Sequence, residues 1–224
     1  MKLIIFDLDG TLIDSEKIAF RAVQNWLSVE GLDAPNELSL QMMGRKWSVA
    51  FDLLESLYPL KKRREVMERE ILEEFRRLFR RELPIIPGAQ KLIMDLSRNY
   101  KLALVSGSYR QDIYEALELM GVRDKFSIIL GSEDYSESKP SPEGFLKAVK
   151  ISGVTSDNVL VFEDSEAGIE GALRAGLRVV AISYCCPNAN LQSRAYRRYP
   201  DLCLSLQEIE KLFPSSKGSL KSPF

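Results

Sequence analysis

Two aspartates, Asp7 and Asp9, follow the first apolar segment of the chain, residues 3–6. Side chains at positions i and i+2 of a strand point to the same side, so these carboxylates would repel each other unless a cation lies between them or one holds a proton. Gly10 permits a tight turn that brings backbone groups close to a ligand, and Thr11 adds a hydroxyl. The segment therefore indicates half of a metal and phosphoryl site.

A second candidate group, Ser106, Gly107 and Ser108, follows the apolar segment 102–105. Hydroxyl and backbone N–H groups at a strand end can donate to phosphate, although a Ser/Gly turn without a function is the more common use of such a segment. A third candidate is Lys139, which precedes a proline. A lone lysine is usually a solvated surface charge, but a fixed ammonium could neutralise a phosphoryl oxygen or a nearby carboxylate.

Glu163 and Asp164 form a further carboxylate pair directly after the apolar segment 159–162. Acidic residues in this position often cap the helix that follows, but capping needs one acid and the chain supplies two. Hard oxygen ligands without histidine or thiolate favour Mg²⁺.

The elements that must position these residues are predicted from the apolar runs. Continuous rather than alternating apolar segments are typical of buried parallel strands, and they are separated by segments with helical patterns. The predicted strands are 3–6, 102–105, 128–130, 159–162 and 179–182, and the predicted helices between them are 88–98, 110–120, 142–151 and 166–175. This alternation predicts an α/β fold with a doubly wound, Rossmann-like parallel sheet, whose carboxyl edge gathers all the candidate residues.

Residues 15–83 depart from this alternation. They contain no convincing strand and predict helices at 15–30, 46–57 and 62–82. In the last of these, an apolar stripe comprises Met67, Ile71, Phe75, Leu78 and Phe79. The predicted organisation is a core of residues 1–14 and 84–214, an inserted helical cap domain of residues 15–83, and a C-terminal tail of residues 215–224.

Composition restricts the function classes. The 31 basic and 32 acidic residues give a net charge of −1, so no global field attracts nucleic acid or a lipid surface. No apolar run approaches the length of a membrane span or a signal-peptide core, and three cysteines do not form a disulfide framework, so we expect a cytoplasmic protein. The chain has no histidine, which excludes catalytic triads with histidine and leaves proton transfer to other groups, such as carboxylates.

The sequence resembles the haloacid dehalogenase superfamily over residues 2 to 212. The residues that carry the resemblance are Asp7-Leu8-Asp9-Gly10-Thr11, Ser106, Lys139-Pro140 and Glu163-Asp164, which are similar to the four motifs of that superfamily in order and spacing. The helical insertion after the first motif resembles the α-helical cap subfamily, which includes phosphoglycolate phosphatase, sugar-phosphate phosphatases and β-phosphoglucomutase.

This resemblance implies a role for each motif residue. Asp7 would be the nucleophile that forms an aspartyl-phosphate, and Asp9 would be the general acid and base. Mg²⁺ would be held by the Asp7 carboxylate, the Asp9 backbone carbonyl and Asp164, with Glu163 either a ligand or an acceptor behind the ligands. The residues expected to hold the phosphoryl group are Thr11, Ser106, Gly107 and Lys139.

The resemblance predicts a Mg²⁺-dependent phosphatase that acts on a small phosphorylated metabolite, such as a sugar phosphate. We also expect the protein to be a monomer. The residues expected to contact the rest of the substrate are Glu16, Arg45, Lys46, Trp47 and Ser108. A β-phosphoglucomutase-type phosphomutase is the alternative enzyme. Mutase-like members carry a cap histidine where this chain has Ala19 and an arginine where it has Trp47, and both departures favour the phosphatase.

Two functions other than catalysis are weighed against the enzyme. A phosphate-accepting receiver domain also combines aspartates, a hydroxyl and a lysine around Mg²⁺, but it needs neither the second aspartate of the pair nor a helical insertion. Basic residues at 61–64 and 194–198 could suggest nucleic-acid binding. The first group is interleaved with glutamates at spacings that suit helix ion pairs, and the second lacks a recognition fold, so we expect no nucleic-acid partner.

Overall fold

The computed structural model describes residues 1–42, 47–185 and 192–214. The chain divides into two compact units. The first contains Met1–Ile13 and the described residues from Ile85 onward, and the second is Asp14–Pro84. No helix among the described residues is long and apolar enough to cross a membrane.

The first unit is built on a parallel sheet. Its strands in the described residues are β1 (Leu3–Phe6), β2 (Lys101–Val105), β3 (Ile128–Leu130), β4 (Val159–Glu163), β5 (Arg178–Ile182) and β6 (Arg197–Tyr199). They are arranged in the order β3-β2-β1-β4-β5-β6, and each neighbouring pair is parallel. The strand order reverses between β1 and β4, which is the position where doubly wound sheets bind ligands, at the carboxyl ends of the strands.

Helices connect the strands and form the second unit. Their bounds are α1 (Ser15–Val29), α2 (Asn36–Met42), α3 (Trp47–Leu57), α4 (Arg64–Glu82), α5 (Ala89–Leu96), α6 (Arg110–Leu119), α7 (Glu143–Ser152), α8 (Glu166–Arg174) and α9 (Leu206–Leu212). Short 3₁₀ turns lie at Arg123–Lys125, Ser132–Asp134 and Ser156–Asn158.

The core of the first unit lies on both faces of the sheet. Leu3 and Ile5 of β1 point into an apolar cluster with Phe145 of α7 and Ile169 of α8. The alternate residues of β1 are buried as well, and Phe6 stacks on Phe162 of β4 with ring centroids 5.0 Å apart. Burial on both faces explains why the strands are apolar at consecutive positions.

The second unit is formed by α1 to α4, in which the long helix α4 packs against α1. Trp26 of α1 is buried, and its indole N–H donates to Glu70 of α4 over 2.8 Å. The predicted apolar stripe of α4 is buried at Met67, Ile71, Leu78 and Phe79 and partly buried at Phe75, while its charged residues form surface ion pairs.

The predicted α/β fold class is confirmed, and three elements were not predicted. Helices α2 and α9 have only seven residues each, which is too short for a clear periodic pattern. Strand β6 has the sequence Arg-Arg-Tyr and lies at the sheet edge with both arginines exposed, so no apolar run marks it. The first predicted residue of the 46–57 helix and the tail 215–224 lie outside the described residues.

Packing in the first unit predicts that Ile93→Ala is strongly destabilising. Ile93 of α5 is fully buried, so the substitution removes apolar contacts and leaves a cavity, which should lower the free energy of unfolding by about 2–5 kcal/mol. Ile151→Ala, at a helical position where 55% of the residue is exposed, is the control and should change it by less than about 0.5 kcal/mol. Urea titration measures both values, and equal losses would contradict the described core.

Candidate active site

Asp7 lies at the switch point of the sheet. It is the first residue after β1, and its backbone N–H donates to the carbonyl of Phe162 in β4 over 3.0 Å, so the pairing of the two strands continues to this position. The residue is buried, with 6% of its surface exposed. The carboxylate is thus fixed between the carboxyl ends of β1 and β4.

The ammonium group of Lys139 joins three strand ends. It donates to Asp7 Oδ1 over 2.5 Å, to Glu163 Oε1 over 2.6 Å and to the backbone carbonyl of Val105 over 3.1 Å. These three acceptors match the three N–H bonds of an ammonium. Lys139 therefore holds the ends of β1, β2 and β4 together, rather than lying on the surface as a solvated charge.

Glu163, the last residue of β4, is fully buried and uses both carboxylate oxygens. Oε1 accepts from Lys139, and Oε2 accepts from the backbone N–H and hydroxyl of Ser165 over 2.8 and 3.0 Å. A Cβ on Gly168 would lie 1.6 Å from Oε1, so glycine is required where α8 passes the carboxylate. This geometry favours Glu163 as an acceptor behind the metal ligands over a direct ligand.

Asp164 packs against the turn after β1. Gly10 has a φ of 83°, and a Cβ there would lie 2.1 Å from Asp164 Oδ2, so the absence of a side chain creates the space for this carboxylate. The hydroxyl of Thr11, which is fully buried, donates to Asp164 Oδ1 over 3.3 Å. Thr11 was predicted to bind phosphate, but its hydroxyl is directed to Asp164, which favours a positioning role.

These residues fit a divalent cation. One oxygen from each of Asp7, Glu163 and Asp164 lies within 4.8 Å of the others. Asp7 and Asp164 offer hard anionic donors that suit Mg²⁺, and Glu163 adds negative charge behind them. The single ammonium of Lys139 does not balance three carboxylates, so the cluster favours additional positive charge. One of these carboxylates, that of Asp164, lies directly beside Gly10 in the turn after β1.

The pKa values of Asp7 and Lys139 reflect the excess of carboxylates over cations in this cluster. The pKa of Asp7 is raised to about 8, chiefly by burial of the carboxyl group, against the opposing charge of Lys139 and with the aid of the Glu163 carboxylate. Burial alone would lower the pKa of Lys139, but the carboxylates of Asp7 and Glu163 raise it above its ordinary value. A divalent cation at this position would lower the Asp7 pKa and keep the carboxylate ionised.

Asp9 and Ser108 face each other. The hydroxyl of Ser108 donates to Asp9 Oδ2 over 2.6 Å. Ser108 was predicted to contact the substrate, but its hydroxyl is bound to Asp9 and so orients that carboxyl group. The Asp9 side chain is not one of the three that form the carboxylate cluster, and the sequence prediction assigns a metal contact to its backbone carbonyl instead.

The turn after β2 combines a fixed hydroxyl with open space. Ser106 is buried, and its hydroxyl oxygen accepts from the backbone N–H of Ser108 over 3.1 Å. Gly107 is exposed, and no atom of the described residues lies within 4 Å of the position that a Cβ would take. An anion can therefore approach the backbone of this turn closely, as the phosphate-binding prediction for Ser106 and Gly107 requires.

The predicted substrate residues of the second unit are placed in part. Glu16 lies in the first turn of α1 and is partly buried. Trp47 begins α3, and its ring stacks on Phe51 with centroids 5.4 Å apart and meets Phe75 edge-on at 5.5 Å. Arg45 and Lys46 lie outside the described residues. Trp47 thus contributes to an aromatic cluster within its own unit.

Three positioning residues were missed by sequence reasoning. Tyr135 donates its hydroxyl to the carbonyl of Ser106 over 2.7 Å, and Gln192 donates to the carbonyl of Asp164 over 2.7 Å. The Glu143 carboxylate accepts from the backbone N–H of Ser136 and of Glu137, residues that precede Lys139. Tyrosine, glutamine and glutamate are common types, and bonds to distant backbone groups leave no spacing pattern in a sequence.

A family model for haloacid dehalogenase-like hydrolases matches residues 4–182 of the chain. The chain belongs to this family. All the motif residues of the first unit described above, from Asp7 to Asp164, fall within the matched range. The family is therefore established over the part of the chain that contains the site.

Relatives and solved structures agree with membership in the haloacid dehalogenase-like hydrolases. A phosphoglycolate phosphatase from Aquifex aeolicus is 31% identical over 209 residues, which are 92% of each chain. A phosphorylated carbohydrates phosphatase from Thermotoga maritima is 28% identical over 178 residues, 79% of this chain and 82% of that one. A solved structure of a candidate β-phosphoglucomutase from Thermotoga maritima has a TM-score of 0.84 and 26% identity over 94% of this chain and 99% of that one.

The close approach at Gly10 predicts that Gly10→Ala disrupts the carboxylate cluster of this hydrolase. The new Cβ would occupy the space of the Asp164 carboxylate and also strain a backbone with positive φ. We expect turnover of a phosphorylated substrate to fall at least about 100-fold, the scale of losing one positioned charge at a reacting centre. A phosphate-release assay measures it.

Gly31→Ala is the matched control for this substitution. Gly31 has a φ of 75°, but its Cβ position has no atom within 4 Å in the part of the chain that the structure describes, so it tests backbone strain without the clash. Turnover within about twofold of wild type is expected for Gly31→Ala. If Gly10→Ala retained the same turnover as Gly31→Ala, the proposed contact with Asp164 would be without consequence.

The buried ion pairs of Lys139 predict that Lys139→Met is strongly destabilising. Its removal leaves the buried carboxylates of Asp7 and Glu163 without their cation, which should lower the free energy of unfolding by about 3–5 kcal/mol. Denaturant titration of the metal-free protein measures this loss. The double variant Lys139→Met/Glu163→Gln removes one uncompensated charge and should recover part of the loss, so a further decrease would contradict the described pairing.

Proposed function

We propose that the chain is a Mg²⁺-dependent phosphatase that hydrolyses a small phosphorylated metabolite, of the sugar phosphate type, through an aspartyl-phosphate on Asp7. The observation that carries the proposal is the buried Asp7 carboxylate, bound by Lys139 beside Glu163 and Asp164 at the switch point of the sheet. The phosphatase names of the two curated relatives support the reaction type.

In the first half of the reaction, a carboxylate oxygen of Asp7 attacks phosphorus. The new O–P bond forms as the bond to the leaving oxygen breaks, and Asp9 in its acid form gives its proton to that oxygen. The hydroxyl of Ser108 orients the Asp9 carboxyl group for this transfer. In the second half, Asp9 takes a proton from the water that attacks phosphorus. The O–P bond to Asp7 breaks as the bond from the water oxygen forms, which releases inorganic phosphate and restores the Asp7 carboxylate and the acid form of Asp9.

Charge must be balanced around these steps, because a carboxylate nucleophile and a phosphate dianion repel each other. Mg²⁺, held by Asp7, Asp164 and the Asp9 carbonyl, would supply the positive charge that offsets this repulsion. The ammonium group of Lys139 donates to Asp7 Oδ1, so it is close enough to stabilise negative charge that develops on the transferred phosphoryl group. Ser106 and Gly107 would donate to the phosphoryl oxygens from the turn after β2.

The helical unit Asp14–Pro84 is proposed to act as the cap that selects the substrate, with Glu16, Arg45, Lys46 and Trp47 as the candidate contacts. A cytoplasmic location and a monomeric state also stay predictions of the sequence. A phosphomutase is the second candidate, favoured by the similarity in structure to a candidate β-phosphoglucomutase. The presence of Ala19 and Trp47 at the positions discussed above favours the phosphatase.

The proposed mechanism predicts that Asp7→Asn abolishes turnover. The amide cannot attack phosphorus as an anion, so phosphate release should fall at least about 10⁴-fold, as expected when a covalent nucleophile is removed. The measurement is a phosphate-release screen over sugar phosphates, phosphoglycolate and nucleotides, with Mg²⁺ and with a chelator. Asp157→Asn, at an exposed position just before β4, is the control and should behave as wild type.

Each other result in this screen has a defined meaning. Undiminished activity of Asp7→Asn would remove the proposed nucleophile. Conversion of β-glucose 1-phosphate to the 6-phosphate without phosphate release would assign a mutase instead. A phosphoenzyme that persists for minutes without multiple turnover would favour the receiver-type function.

A further inference from the structure

Gln192 connects two strand ends beside the candidate active site. Its side chain is buried, with 2% of the residue exposed, and its Nε2 donates to the carbonyl of Asp164 over 2.7 Å and to that of Ile182 over 2.9 Å. Ile182 is the last residue of β5, and Asp164 follows the last residue of β4. One amide group therefore ties the backbone after β4 to the end of β5.

Gln192 makes its hydrogen bonds in the described residues through the donor Nε2 of its side-chain amide. Both contacts are carbonyl oxygens, which fixes the amide with its NH₂ group toward them. The other atom of the amide, Oε1, is buried and has no hydrogen-bond partner in the described part of the chain. An apolar side chain of the same length would avoid an unpaired acceptor, so the two donated bonds are what glutamine adds here.

The carbonyl of Asp164, which accepts from Gln192, lies between two residues that are themselves fixed, Glu163 and Ser165. Glu163 is fixed by β4 pairing and by Lys139, and Ser165 caps α8 by accepting from the N–H of Gly168 over 3.0 Å. Rotation of the intervening peptide would change the direction of the Asp164 side chain. Gln192 opposes this rotation, because the carbonyl of Asp164 is its acceptor.

We propose that Gln192 is a positioning residue that keeps the Asp164 carboxylate in its place beside Gly10 and Thr11 and thereby sets the affinity of the site for a divalent cation. The proposal rests on the proposed function, in which Asp164 is a metal ligand. Gln192 contacts neither the reacting atoms nor the carboxylate itself; it acts through the backbone of Asp164.

The test measures Mg²⁺ binding to the full chain without substrate, by isothermal titration calorimetry. Gln192→Met keeps the length of the side chain and removes both donors, and it is expected to raise the dissociation constant for Mg²⁺ at least about fivefold, as for a loss of support around a metal ligand. The loss of phosphate release should be larger at limiting than at saturating Mg²⁺, because the substitution weakens binding of the cation and leaves Asp7, Asp9 and Lys139 unchanged.

Ser152→Ala is the matched control. Ser152 is the last residue of α7, and its buried hydroxyl donates to the carbonyl of Val149 in the same turn of the helix. The Ser152 carbonyl accepts from Lys101 at the start of β2, away from the carboxyl edge of the sheet. This variant should lower the melting temperature but leave the dissociation constant for Mg²⁺ within about twofold of wild type. It separates loss of a buried hydrogen bond from loss of metal-site geometry.

The outcomes distinguish this inference from the proposed function. If Gln192→Met has the wild-type dissociation constant for Mg²⁺ and only its melting temperature is lower, the positioning role is overturned. If Gln192→Met does not fold, Gln192→Asn, which is one methylene too short to reach both carbonyls, carries the same comparison with the same deciding result. Absence of Mg²⁺ binding in the wild-type protein itself would count against the proposed function and remove the basis for both.

Discussion

A single ammonium group, that of Lys139, holds together three segments that are distant in sequence. Its partners are Asp7 after β1, Glu163 at the end of β4 and the carbonyl of Val105 at the end of β2. Buried carboxylates are unfavourable without a cation, and a buried cation is unfavourable without acceptors, so each member of the group requires the others. The loop that carries Lys139 is in turn held by the Glu143 carboxylate at the start of α7. The carboxyl edge of the sheet is thus organised by charge as well as by strand pairing.

The sheet topology explains why so few residues suffice. In the order β3-β2-β1-β4-β5-β6, the ends of β2, β1 and β4 are adjacent, although these strands end at Val105, Phe6 and Glu163 in the chain. One or two polar residues after each strand then converge without any need for a long binding loop. The close approaches at Gly10 and Gly168 bring two carboxylates nearer to the backbone than any other residue type would permit. The geometry of the site therefore follows from the strand order and from glycine at these two positions.

The parts of the molecule that sequence reasoning predicted share a physical cause. The central strands are buried on both faces, so each contains an unbroken apolar run that can be recognised, and polar residues directly after such a run must lie at one edge. Strand β6 was not predicted, because an exposed edge strand needs no apolar residues. Helices α2 and α9 were not predicted, because seven residues give too few turns for a periodic pattern. Within the site, residue types indicated the carboxylates and Lys139. The partners of Thr11 and Ser108 could not be predicted, because a hydroxyl can serve a ligand or a neighbouring carboxylate equally well, and the fold decides between them.

The composition of β6 has a consequence for behaviour in concentrated solution. This strand closes one side of the sheet, and the unpaired backbone groups at such a side can recruit a strand from another molecule. Here the edge is only three residues long, and Arg197 and Arg198 are exposed along it. Two β6 edges brought together would place these cations against each other, so the composition of this strand opposes association through the β6 edge.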